Sequence, residues 1–146
     1  MNAAPPPLVF GPLTRTDIVR YQGASGDMNP LHHDEPFARA AGYEAPLAIG
    51  MLGAGLLATY ATDWLGAENI RRFRIRFMAQ VWPGDTLTCA GRLVREYDGP
   101  DGPLADVELA CTRQTGDAAV RVWATFAREQ PARPGRAQAA EGTGED

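Results

Sequence analysis

The sequence predicts an α+β domain in which an antiparallel sheet wraps one long buried helix. Three observations carry that expectation. The run from Ala45 to Thr62 holds no charged residue, the apolar period changes to two from Phe73 to Phe126, and the period-two segments are separated by Gly/Pro-rich turns. At 146 residues the chain has the size of one ordinary domain.

Taken in chain order, Thr14-Arg15-Thr16-Asp17 has capping-box spacing, and Ile18, Val19 and Tyr21 continue it as a short helix ending near Gly23. A polar loop, Ala24 to His33, follows. Asp34 can cap a second short helix that tolerates Pro36 in its first turn and stops at Gly42. The uncharged run predicts a helix from about Met51 to Leu65, with Gly66 just beyond it. Pro46, Gly50, Gly53, Gly55 and the polar Thr59, Tyr60 and Thr62 argue against a membrane span. A helix apolar nearly all round is expected instead to be enclosed by protein on every side. Phe73, Ile75 and Phe77 then alternate with Arg72, Arg74 and Arg76 as a half-buried strand, which Pro83-Gly84-Asp85 turns. Strands from Thr86 to Tyr97 and Leu104 to Gln114 follow, and a last one places Val120, Val122, Ala124 and Phe126 inward, so the expectation is an antiparallel meander.

The folded domain is expected over 8–130, with 1–7 and 131–146 as disordered tails, because neither tail has a hydrophobic period to offset its ordering entropy. Fourteen basic against eighteen acidic residues give a formal charge of −4, which argues against nucleic acid as a partner. Every basic residue is Arg, which removes Schiff-base lysines and lysine-dependent phosphate loops. Cys89 and Cys111 have neither Cys-x-x-Cys spacing nor a His beside them, so they read as small core hydrophobes in a reducing compartment. With no basic and apolar leader at Met1–Pro7, the expected location is the cytoplasm.

The only histidines are His32 and His33, in the segment Ser25-Gly26-Asp27-Met28-Asn29-Pro30-Leu31-His32-His33-Asp34. Residue types leave two readings open. Asp27 and His32 can converge across a loop bent at Gly26 and stiffened at Pro30 to hold one water as acid and base. Alternatively, Asp27 closes an Asx turn and His32 is a surface or helix-entry residue. A metal site on His32, His33 and Asp34 is poorly supported, since neighbouring side chains in extended backbone diverge and no further His exists. Gly50, opening the long helix, either brings a backbone donor to a carbonyl that gains negative charge or merely permits a tight helix entry. The Arg71, Arg72, Arg74 and Arg76 ladder reads as either a phosphate contact or a solvated sheet face.

The stretch Tyr21-Gln22-Gly23-Ala24-Ser25-Gly26-Asp27-Met28-Asn29-Pro30-Leu31-His32, followed by Pro46-Leu47-Ala48-Ile49-Gly50-Met51, resembles the hydratase motif of the MaoC-like dehydratases, the (R)-specific enoyl-CoA hydratase family. The resemblance runs from about Thr14 to Phe126. It implies a hotdog fold, an Asp27–His32 catalytic dyad, substrate contacts at Gly50 and Asn29, and an oxyanion donor in the Gly50 N–H. It further implies reversible hydration of a trans-2-enoyl thioester, carried on coenzyme A or an acyl carrier, to the (R)-3-hydroxyacyl thioester. No metal or other cofactor is implied, and the expected partner is a second hotdog subunit, identical or related. Two positions depart from the family pattern. Ile49 stands where the family commonly has His, and Ala58 where it often has Ser on the buried helix. These departures motivate one alternative, a supporting subunit of a hetero-oligomeric hydratase, and a second is a hotdog acyl-CoA thioesterase, which shares the fold and a thioester substrate. The latter typically needs a carboxylate on the buried helix, where Met51 to Thr62 has none.

Overall fold

A computed structural model describes residues 3–128 of the chain. The expected tail over 131–146 lies outside the described residues.

Local chemistry sets the first half of the chain. Strand β1, Leu8–Phe10, precedes helix α1, Arg15–Ser25, whose capping box forms as expected between Thr14 and Asp17. The helix runs two residues beyond the expected Gly23, because the left-handed position that ends it is Gly26, at φ +75°. A single 3-10 turn, Pro30–His32, leads to α2, Glu35–Ala40, where Asp34 accepts the Phe37 N–H at 2.9 Å as N-cap.

Helix α3, Gly50–Leu65, starts one residue before the expected position and ends at Gly66. Its burial differs from expectation. Gly53, Ala54, Leu57, Tyr60 and Ala61 are buried at three-to-four-residue spacing, whereas Met51 and Thr59 on the other side are exposed. One sheet covers one face of a helix, so the second apolar face stays open in a single chain.

Strands β2 (Ile70–Phe77), β3 (Leu87–Gly99), β4 (Gly102–Arg113) and β5 (Ala118–Ala127) complete an antiparallel sheet of order β1-β3-β4-β5-β2. The expected meander holds for β3, β4 and β5 only. Pro83-Gly84-Asp85 does not close a hairpin between β2 and β3. The chain crosses there from one sheet edge to the other side, and β2 pairs with β5 in the register Phe73↔Ala124, Ile75↔Val122, Phe77↔Val120. The sheet curls around the buried side of α3, giving the α+β hotdog arrangement. Leu57, Tyr60 and Ala61 pack on Val107, Leu109, Val120, Val122, Ala124 and Phe126. At Gly53 an added Cβ would stand 3.0 Å from Val120 Cγ2, so only glycine admits this helix–strand approach without a shift. Cys89 and Cys111, both fully buried and unbonded, face each other across β3 and β4 as core residues. Of the amino-terminal stretch, residues 3–7 form no helix or strand, and the Pro5 carbonyl accepts the Tyr60 hydroxyl at 2.8 Å.

Candidate active site

Three loops meet where α3 begins. The Leu47 N–H donates to the Leu31 carbonyl at 3.2 Å, and the Ala48 N–H donates to the Val81 carbonyl at 2.8 Å. These bonds tie the 26–33 loop, the 45–49 entry to α3 and the 78–82 crossover together. A buried carboxylate anchors the crossover from behind. Asp85 accepts the Trp82 N–H at 2.8 Å, Arg113 Nε at 2.7 Å and Gln114 Nε2 at 2.8 Å. Burial alone would raise the Asp85 carboxyl pKa, but the Arg113 guanidinium and these N–H donors hold it below the usual carboxylate value.

His32 Nδ1 lies 2.8 Å from the Leu47 carbonyl oxygen, an acceptor only, so Nδ1 carries the proton and donates it. In the neutral ring Nε2 is then the lone-pair nitrogen, and it lies 3.8 Å from Asp27 Oδ2. That separation exceeds a direct hydrogen bond and leaves both atoms free to engage one small molecule. The His32 side chain is 10% exposed and that of Asp27 45%, so the imidazole is sheltered and the carboxylate faces the open side.

The other Asp27 oxygen accepts the Asn29 N–H at 3.3 Å, an Asx turn. The two readings left open for Asp27 therefore coexist, one oxygen serving each. Asn29, expected at the substrate, uses its side-chain oxygen to accept the Leu31 N–H at 3.0 Å and caps the 3-10 turn. His33 and Asp34 point to Gln22 and to the α2 amide, away from His32. Among the described residues no three His, Cys, Asp or Glu side chains cluster as a metal site.

A cavity of about 270 Å³ opens beside His32 and runs along the first turns of α3, lined by Ile49, Gly50, Gly53, Phe77 and Val120 among others. Ile49, the N-cap residue, offers no side-chain acceptor to the helix N–H groups, so the positive end of α3 has no side-chain cap there. The Phe77 ring lies against the Gly50 Cα, where an added Cβ would stand 3.0 Å from it. Of the expected residues, then, His32 and Gly50 line the cavity, Asp27 stands beside it, and Asn29 shapes the loop. The arginine ladder does not join them. Arg72, Arg74 and Arg76 alternate with the inward Phe73 and Ile75, on the opposite face of the sheet, with Arg74 over the Trp123 ring at 5.3 Å. Sequence reasoning missed Gln22 and Asp85, both buried polar residues, because no local pattern distinguishes a polar side chain that will be enclosed from one that will be solvated.

Comparison with known proteins bears on the family and the fold. The family profile of the "MaoC like domain" matches residues 8–103. The peroxisomal multifunctional enzyme type 2 of Mus musculus is 35% identical over 86 residues, which cover 57% of this chain and 12% of that protein. The 3-hydroxyacyl-thioester dehydratase Y of Mycobacterium tuberculosis is 37% identical over 108 residues, covering 66% of this chain and 37% of that protein. This chain thus spans well under half the length of these two relatives. Among solved structures, the ChsH1-ChsH2 complex from Mycobacterium tuberculosis contains a chain that superposes with a TM-score of 0.74 at 25% identity, covering 88% of this chain and 96% of that one. With two thirds of its length matched by the family profile and the motif-bearing loop folded against the start of α3, the chain belongs to the MaoC-like domain family.

Proposed function

We propose that this chain catalyses reversible addition of water across the double bond of a trans-2-enoyl thioester, giving the (R)-3-hydroxyacyl thioester. The observation that carries the reading is the tautomer of His32. Its Nδ1–H is committed to the Leu47 carbonyl, so its basic Nε2 faces the Asp27 carboxylate beside the cavity at the start of α3. In the forward direction His32 Nε2 takes a proton from water while Asp27 orients it. The water oxygen bonds to C3, the double-bond electrons move toward the thioester carbonyl, and the proton returns through the dyad to C2. The Gly50 N–H stabilises the enolate oxygen, assisted by the helix dipole. Because the thioester already acidifies C2, the reaction calls for no metal or redox cofactor. The relative named as a 3-hydroxyacyl-thioester dehydratase supports this chemistry.

A second hotdog subunit is the proposed partner. Met28, Met51, Phe77 and Met78, all large apolar side chains on the elements around the cavity, are exposed, as is the second face of α3. A subunit seated there would shelter Asp27 and close an acyl tunnel. Ile49, which lacks the ring nitrogen of the family's usual His, favours a second reading, that of a supporting subunit in a hetero-oligomer, and the likeness to a chain of the ChsH1-ChsH2 complex fits an assembly of two different chains. The thioesterase reading is disfavoured, since the only carboxylate on α3 is Asp63 near its end. Among the described residues no helix is long and apolar enough to cross a membrane.

The test follows loss of enoyl-thioester absorbance across an acyl-length series on both carriers, for the chain alone and with a co-expressed related subunit. Activity of the chain alone that falls at least a hundredfold in Asp27→Asn and in His32→Ala is expected, in line with the usual contribution of a positioned acid or base of about 10²–10⁴. Equal rates in all three would end the dyad mechanism, and activity appearing only with the related subunit would transfer the conclusion to the second reading.

A further inference from the structure

Gln22 is a polar residue that is almost wholly enclosed, at 1% exposure, and none of the chemistry above uses it. It sits in the last turn of α1, from which the Asp27–His33 loop departs. Its Nε2 lies 3.0 Å from the Asp27 carbonyl oxygen, 3.4 Å from the Asn29 carbonyl oxygen and 3.1 Å from His33 Nδ1. Two of those partners are carbonyls, which only accept, so the amide nitrogen and not its oxygen must face them. An amide NH₂ only donates and has two hydrogens for these three acceptors, so the two shorter contacts, to the Asp27 carbonyl and to His33 Nδ1, are its bonds and the Asn29 carbonyl at 3.4 Å shares one of them; in the neutral ring the His33 proton is then on Nε2. The adjacent histidines are consequently opposite tautomers, His32 protonated at Nδ1 and His33 at Nε2.

We propose that Gln22 is a positioning residue that clamps the two ends of the Asp27–His33 loop to helix α1 and thereby holds the Asp27 carboxylate in reach of His32. One bond goes to the backbone of Asp27 itself and another to the side chain that follows His32, so the amide spans the dyad from behind. Without it, the Asp27 carbonyl oxygen and His33 Nδ1 lose a donor in a part-buried contact, and the loop must open to find water. A displacement of about 1 Å between reacting groups can cost about a hundredfold in rate. The catalytic part of this inference rests on the hydratase reading, whereas the tautomer part does not.

Two variants and one measurement on the unaltered protein test it. In the wild type, ¹⁵N NMR of the imidazoles should give His33 as the Nε2–H tautomer and His32 as the Nδ1–H tautomer. Gln22→Met, similar in size but without a donor, should lower kcat about tenfold to a hundredfold with KM changed less than about twofold, the signature of lost positioning rather than lost binding. Gln22→Glu sets a carboxylate against two carbonyls and a ring nitrogen, and protonation restores one donor. Its kcat relative to wild type should therefore rise as pH falls from 8 to 5, whereas a residue that only filled space would give the same ratio at every pH. An Nδ1–H tautomer at His33, a folded Gln22→Met with kcat within about twofold of wild type, or a pH-independent ratio for Gln22→Glu would each overturn the proposal. Should both variants fail to fold, the wild-type tautomers still decide it. A wild type inactive on every enoyl thioester but showing the opposite tautomers would count against the hydratase reading and for the clamp.

Discussion

Replacing Asp85 by Asn tests the anchor that holds the crossover to the cavity. Each Asp85 oxygen serves two donors: Oδ1 takes Arg113 Nη2 at 3.1 Å and Gln114 Nε2 at 2.8 Å, while Oδ2 takes Arg113 Nε at 2.7 Å and the Trp82 N–H at 2.8 Å. An Asn must turn its own NH₂ toward one of those pairs, and it leaves the Arg113 charge with only the more distant Asp117 carboxylate, at 3.8 Å. The Asp85 side chain is 5% exposed and that of Arg113 17%. Breaking such a buried pair costs about 3–5 kcal/mol, and the partial access of Arg113 to water places this one near about 3 kcal/mol. That corresponds to a fall in Tm of roughly 10 °C. The pH dependence carries the sharper signature. A carboxyl whose folded pKa is depressed contributes stability that is fully present above its unfolded value, about 3.9, and is lost as pH falls through the lower folded value. Urea unfolding of both proteins from pH 7 downward should therefore show a gap of about 3 kcal/mol that is constant to about pH 4 and narrows below it. Asp17 and Asp106 are depressed as well, but they are common to both proteins and cancel in the difference. A loss under about 1 kcal/mol, or a gap unchanged well below pH 4, would mean that the Asp85 carboxylate does not anchor the crossover.

Two further outcomes follow from the glycines of α3. Gly53→Val adds two methyl groups beyond a Cβ that already stands 3.0 Å from Val120 Cγ2, so overpacking of about 1–3 kcal/mol is expected in denaturant unfolding, together with a weakened affinity for long acyl chains in the cavity it lines. Gly50→Ala meets only the Phe77 ring, which is 53% exposed and can swing away, so stability should stay within about 1 kcal/mol while kcat falls more than KM rises.

The Thr14 capping box, the Asp34 cap and the Gly66 stop of α3 could be read directly, since each depends on residues within one turn of one another. The convergence of Asp27 and His32 rests on the motif resemblance, since their residue types alone favour an Asx turn. The structure contains that turn too, because a carboxylate has two oxygens.

The local elements were legible from the chain alone, for periodicity and capping are written in neighbouring residues, and so were the residue types gathered on the 26–33 loop. Tertiary structure alone decided that β2 pairs with β5, that α3 buries one face and exposes the other, that the arginine ladder lies across the sheet from the cavity, and that Gln22 and Asp85 are enclosed. The physical reason is common to all four. Strand partners and burial depend on contacts between segments far apart along the chain, and an isolated polar residue or alternating strand has the same local pattern whichever neighbour it finally meets.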